Sequence, residues 1–320
     1  MAETRSAPPM PIVTLTINPA LDVSTSTERV RPEHKMRCGP SRVDPGGGGI
    51  NVSRVIRRLG GQSTAIYALG GPTGQAYRQL LEAEGIIGRV IPITGSTREN
   101  VTVDETSTGE QFRFVLQGPE LSDREWQAAL DATEDASRLG GYVVLSGSLA
   151  PGVPDDFYAR ATRAAHRYGA RAVVDASGES LEAALDEGVF LIKPSGRELG
   201  ELVGATLTTI EDRVAAAEEL VQRGRVETVA LTLGGDGAVL VNREGTTRLR
   251  PPPIEVASTV GAGDSFLAGV VLRLAEGRDL GAAFRAGVAA GAAAAMTAAT
   301  ELCHRADVER LEAQLAAAAH

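Results

Sequence analysis

Asp264 ends the run Gly261-Ala262-Gly263-Asp264. β-Branched Thr259 and Val260 precede the run, and an apolar stripe at helical spacing follows it (Phe266, Leu267, Val270, Val271 and Leu274). Glycines let a backbone approach a ligand closely, and the first N–H groups of a helix attract anions. A carboxylate in that position repels a bare anion, so it needs a reason. One reason is proton abstraction. Asp264 would take a proton from a hydroxyl while the backbone of Gly261, Ala262 and Gly263 holds the charge developing on a transferred phosphoryl group. The other is plain helix capping after a glycine turn. The run alone leaves both open, and the rest of the chain has to decide.

A second run, Asp44-Pro45-Gly46-Gly47-Gly48-Gly49-Ile50-Asn51-Val52, flows into Val55, Ile56 and Leu59 at helix spacing. Four glycines are more than a simple turn requires, and a flexible linker would not continue into an amphipathic helix. The run permits close contact with a polyhydroxylated or phosphorylated ligand, with Asn51 adding amide hydrogen bonds. No G-x-G-x-x-G register fits it, and no G-x-x-x-x-G-K-[ST] loop occurs anywhere in the chain. Among 32 basic residues only Lys35 and Lys193 are lysines. Both lie in polar clusters, Lys35-Met36-Arg37-Cys38 and Lys193-Pro194-Ser195-Gly196-Arg197-Glu198.

The elements that must carry these groups alternate between the strand and helix periods. Strands are expected at residues 12–17, 64–69, 90–93, 142–145, 172–175, 190–193 and 228–233, with 238–241 as a hairpin partner. Helices are expected at 74–84, 125–136, 156–168, 180–186 and 210–222. Such alternation predicts an α/β core with a mainly parallel sheet and helices on both faces. Residues 23–43 and 97–116 instead keep a strand-like alternation, and Pro32 and Pro40 exclude a helix in the first of them. They read as two halves of a small β appendage interleaved with the core. Asp22, Ser148, Asp175, Lys193, Glu198, Gly234, Gly235 and Gly237 then all fall near carboxyl ends of strands, where open α/β sheets bind ligands.

Composition narrows the partners. The chain has 320 residues, is 43% hydrophobic and carries a net charge of −9, which argues against nucleic-acid and anionic-membrane partners. Two cysteines, Cys38 and Cys303, make neither a disulfide framework nor a metal-ligand spacing, as expected of a reducing, cytoplasmic setting. Residues 1–11 lack the apolar run of a secretory leader and read as a disordered tail before one domain over 12–320. The Ala-rich tract 282–299 is broken by Arg285, Gly287 and Gly291, and suits a buried core helix.

These motifs, with Thr14-Leu15-Thr16-Ile17-Asn18-Pro19-Ala20-Leu21-Asp22 and Ser146-Gly147-Ser148, stand in the order found in a known family. From residue 12 to about residue 305 the chain resembles the ribokinase-type (phosphofructokinase B) carbohydrate kinases, most nearly the minor (type 2) 6-phosphofructokinases of bacteria. The resemblance implies a three-layer α/β core with a small β-sheet lid, and homodimers formed through the lids. It implies ATP-dependent phosphorylation of the 1-hydroxyl of fructose 6-phosphate, with Asp264 as base and Gly261, Ala262 and Gly263 as the anion hole. Asp22, Gly47, Gly48, Asn51 and Ser148 would hold sugar hydroxyls. Arg98, with Lys35 and Arg37 from the partner's lid, would meet the sugar phosphate. Lys193, Ser195, Thr232, Gly234, Gly235 and Gly237 would line the ATP site, and Glu198, with Asp175, would organise Mg²⁺ through water.

Two departures bear on this. The family often reads Lys-Pro-Asn-x-x-Glu where this chain has Ser195, whose reach is shorter. It often reads Asn-x-Gly-Thr where this chain has Thr297-Ala298-Ala299-Thr300. There the family helps bind a monovalent cation such as K⁺, largely through backbone carbonyls, so a dependence on it is left in doubt. Tagatose 6-phosphate and fructose 1-phosphate kinases share most of these motifs. A degenerate kinase acting as a nucleotide- or sugar-phosphate-binding regulator is the alternative from another class, and the intact Gly261–Asp264 run and both lysines argue against it.

Overall fold

The computed structural model describes residues 8–298 and 300–318, so most of the tail expected at 1–11 lies outside the described residues. The first third of the chain folds as β1 (Ile12–Thr16), β2 (Ala20–Thr27), β3 (Arg42–Gly46), α1 (Gly48–Arg58), β4 (Thr64–Leu69), α2 (Gly71–Ala83) and β5 (Gly88–Pro92). Then come β6 (Arg98–Glu105), β7 (Gln111–Val115), α3 (Asp123–Ser137), β8 (Tyr142–Ser146), α4 (Phe157–His166), β9 (Arg171–Asp175), α5 (Gly178–Asp186) and β10 (Val189–Ile192). The rest is α6 (Gly196–Val203), α7 (Ile210–Gln222), β11 (Val226–Thr232), β12 (Ala238–Asn242), β13 (Gly245–Leu249), α8 (Ala262–Ala275), α9 (Leu280–Ala295) and α10 (Arg305–Ala317).

The large sheet runs β13-β12-β11-β10-β9-β8-β1-β4-β5 and is parallel from β11 to β5. Every residue of β1, β8 and β10 is buried, because a parallel sheet is covered on both faces and its strands need apolar residues on both. Helices α3, α4, α5 and α7 cover one face, with Trp126, Phe157, Leu185 and Leu220 in that core. Helices α1, α8, α9 and α10 cover the other, where Phe266 and Phe284 meet edge to face at 6.0 Å. The chain leaves β1 toward β4 in one direction and later returns on the other side through β8. The carboxyl ends of β1 and β8 therefore flank a topological switch point, where such sheets open a crevice.

The second sheet, β3-β2-β6-β7, is the small appendage. β6 and β7 fill the expected 97–116, but the first half departs from the expected 23–43. β2 starts at Ala20 and β3 runs to Gly46, because Ala20 pairs with both Gly46 and Arg98 and carries the sheet into the glycine loop. Residues 28–41, with Pro32 and Pro40, form no strand. Strand register separates the faces of this sheet. Asp22, Asn100 and Val115 stand in one cross-strand row, and Val43, Val23, Val101 and Phe114 make the next row, pointing the opposite way.

Three elements were not expected: α6, β13 and α10. The start of α6 is a reciprocal cap, in which Glu198 N donates to Ser195 Oγ at 3.2 Å and Ser195 N donates to Glu198 Oε2 at 2.8 Å. β13 follows a turn in which the Glu244 and Gly245 N–H groups donate to Asn242 Oδ1.

Candidate active site

Two clefts meet at the first turn of α8. The smaller, about 310 Å³, lies between the appendage and the core and is lined by Asp22, Gly47, Gly48, Asn51, Asn100, Arg113, Gly261 and Asp264. The larger, about 720 Å³, is lined by Ser195, Thr232, Gly234, Gly235, Gly237, Ala262 and Gly263, with Pro253, Ile254, Val256, Phe266, Val288 and Ala292 forming apolar walls. Consecutive residues of one helix start thus face different clefts.

Gly261 is the N-cap, with φ 72°, and a Cβ there would lie 2.4 Å from Leu302 Cδ2, so only glycine fits. The next N–H groups belong to the first turn, which offers them no intrahelical acceptor. Asp264 therefore sits in the third helical position and is not the cap. Its Oδ2 accepts from Asn51 Nδ2 at 2.8 Å. Burial pushes its carboxyl up to about 7, helped by the Asp175 carboxylate and opposed by Asn51 and Lys193.

The second glycine run folds onto the protein as well as toward the cleft. A Cβ on Gly46 would lie 1.9 Å from Asp22 Oδ2, and one on Gly48 would lie 2.1 Å from Ser146 Oγ. The sequence suggested room for a ligand, and the same absence of side chains also lets the loop pack between β2 and β8. Asp22 accepts from Asn100 Nδ2 at 2.9 Å, and burial holds its carboxyl above the usual range despite Asn100, Arg98 and Arg113.

Lys193 follows β10, is 8% exposed, and lies 3.2 Å from Asp175 Oδ1. A Cβ on Gly263 would stand 3.0 Å from its Nζ, so the ammonium sits against the α8 turn and not along the larger cleft. Burial favours the neutral amine, but the Asp175 and Asp264 carboxylates outweigh it and keep Lys193 protonated. Asp175 and Glu198 share a further depression of about 480 Å³ with Ser148, Asp155 and Glu179. Among the described residues no three His, Cys, Asp or Glu side chains cluster as a metal cage. A Mg²⁺ ion fits this donor set only as an ion held mainly by phosphate and water, with one or two carboxylates beside it.

Several expected residues are placed elsewhere. Arg98 Nη1 and Nη2 donate to Leu116 O and Asn18 O, both at 2.9 Å, in a neighbouring depression that also takes Ser148. Arg113, and not Arg98, is the guanidinium lining the smaller cleft, and Ser146, and not Ser148, is the serine there. Lys35 and Arg37 are exposed in residues 28–41 and line none of these cavities. Ser195 lies at the larger cleft, but its oxygen already accepts the cap hydrogen bond of α6. Asn100 and Arg113 had a sequence signal in the alternation of residues 97–116, which puts Gln111, Arg113 and Val115 on one face, but alternation does not say which face turns inward.

Comparison with known proteins agrees with this architecture. The model of the pfkB family carbohydrate kinases matches residues 13–306. The chain is 48% identical over 299 residues to the ATP-dependent 6-phosphofructokinase isozyme 2 of Mycobacterium tuberculosis strain H37Rv, covering 93% of this chain and 88% of that one. It is 35% identical over 286 residues to the 1-phosphofructokinase of Bacillus subtilis, covering 89% and 93%. The crystal structure of phosphofructokinase-2 from Escherichia coli in complex with fructose-6-phosphate superposes with a TM-score of 0.90 at 39% identity, covering 96% of this chain and 99% of that one.

Proposed function

The chain belongs to the pfkB family of carbohydrate kinases, and from that premise we propose that it is an ATP-dependent 6-phosphofructokinase making fructose 1,6-bisphosphate. The observation that carries this reading is the shared helix start. Gly261 and Asp264 face the smaller cleft while Ala262 and Gly263 face the larger one. A hydroxyl held in the first lies beside a carboxylate, and a phosphoryl group arriving from the second meets the first-turn N–H groups of α8. Asp264 takes the hydroxyl proton as the oxygen attacks, and a carboxyl near neutrality suits a general base. The Lys193 ammonium, set against the same turn, offsets charge gathering on the transferred group.

Asp22, Asn51, Asn100 and the Gly47 and Gly48 backbone hold the sugar hydroxyls. Arg113 meets the sugar phosphate, with Arg98 beside it and Lys35 and Arg37 supplied by a partner subunit. The apolar walls of the larger cleft suit the flat base of ATP, and Gly234, Gly235 and Gly237 let backbone approach its phosphates. Glu198 and Asp175 are the carboxylates that would orient the waters of a bound Mg²⁺, which would supply positive charge against those phosphates.

The outward row Val43, Val23, Val101 and Phe114 supports a homodimer through the appendage, acting as a lid. Phe114 is 53% exposed on a sheet too small to stand alone, and pairing two such faces buries both. A free exposed Cys38 accords with a cytoplasmic location.

A coupled assay over fructose 6-phosphate, tagatose 6-phosphate and fructose 1-phosphate tests the substrate. The highest kcat/KM is expected for fructose 6-phosphate. A higher value for either competitor reassigns the substrate, and nucleotide binding with no turnover on any of the three points to a regulator.

A further inference from the structure

Arg54 lies on α1, one turn after Asn51, and is 1% exposed. Its guanidinium forms a fork–fork pair with Glu84 at the end of α2, Nε to Oε2 at 2.8 Å and Nη2 to Oε1 at 2.6 Å. Nη1 donates to Pro45 O at 2.9 Å, at the head of the glycine loop, and lies 3.4 Å from Asn51 Oδ1. Nη2 lies 3.4 Å from Asp44 Oδ1. A fully buried guanidinium is costly unless its donors are used, and here all three nitrogens are engaged.

The Asn51 amide therefore lies between charges of opposite sign. A cation stands at its oxygen and the Asp264 carboxylate at its nitrogen. Turning the amide over would set Oδ1 against Asp264 and an N–H group against Arg54, which is unfavourable at both ends. We propose that Arg54 is a positioning residue that locks the Asn51 amide with its donor toward Asp264. Packing alone would not select a guanidinium here, since an apolar side chain of similar volume fills a buried site at lower desolvation cost.

The inference rests on Asp264 being the base, as proposed above. The test measures kcat and both KM values for Arg54→Met alone, Asn51→Ala alone and the two combined, with Asp264→Asn as control. With Asn51 present, Arg54→Met should lower kcat roughly tenfold or more, the scale of one misdirected hydrogen bond to a charged group, and leave the KM for ATP unchanged. In the Asn51→Ala background the same substitution should cost less than about twofold, because there is no amide left to orient. Equal losses in both backgrounds, or no loss in either, overturn the proposal. If Arg54→Met does not fold, the same cycle run with Arg54→Lys decides by the same criterion, since one ammonium cannot hold Glu84, Pro45 and Asn51 together. An active Asp264→Asn protein would instead remove the base assignment. Additive losses with Asp264→Asn inactive would remove only the role of Arg54.

Discussion

Asn51 Nδ2 donates to Asp264 Oδ2 at 2.8 Å, joining side chains 213 positions apart. The two glycine motifs converge through this bond. It gives a partly buried carboxylate one donor, which is enough to hold its direction and too few to abolish its basicity.

Asp264→Asn should keep the fold and both binding sites while losing the proton acceptor, so kcat should fall about 10²–10⁴-fold. Steady-state kinetics with ligand binding followed by fluorescence check this. A kcat within about threefold of the parent, on that same scale of effects, would falsify the assignment.

The elevated Asp264 carboxyl has two consequences with pH. Catalysis needs the ionised form, so kcat should be lost as pH falls through about 7. Stability runs the other way. The folded state holds this proton more tightly than the unfolded chain does, so its contribution is complete at low pH and is lost as pH rises from about 4 toward 7. Asp264→Asn should therefore raise Tm at pH 8 by at least about 2 °C and leave it nearly unchanged at pH 4. Equal shifts at both pH values would count against the elevated carboxyl.

The two arginines near the sugar cleft should separate cleanly. Arg113 is an exposed β7 side chain, and Arg113→Ala should raise the KM for sugar phosphate roughly tenfold or more with little change in Tm or in the KM for ATP. Arg98→Ala strips donors from Asn18 O and Leu116 O, so Tm should fall as well. The reverse pattern in calorimetry and kinetics would exchange the two roles.

Phe114→Glu places a charge in the outward row with Val101 and should yield monomers. If Lys35 and Arg37 act across the dimer, those monomers should also bind sugar phosphate poorly. Light scattering at assay concentration that finds a fully active monomer defeats both statements.

Much of this protein is legible in its residues alone. Alternating periods of two and 3.6 determine the layered α/β core, because each period states locally which side of an element must be dry. The runs at Gly46–Asn51 and Gly261–Asp264 announce close backbone approach ahead of a helix, and both partners of the Asn51–Asp264 hydrogen bond lie in them. The tertiary structure alone decided what those elements present to one another. β2 and β6 pair in parallel with Asp22 opposite Asn100, a register set by long-range packing, and that register turns Arg113 into the cleft. Ser195-x-x-Glu198 is equally a ligand motif and a capping box as a sequence, and only the folded α6 showed its hydrogen bonds used by the cap. Nothing in the sequence marks Arg54 as buried; the folded α2 and β3 enclose it. Local chemistry names the groups, but burial and register, which depend on chain segments far apart, determine which of them face the substrate.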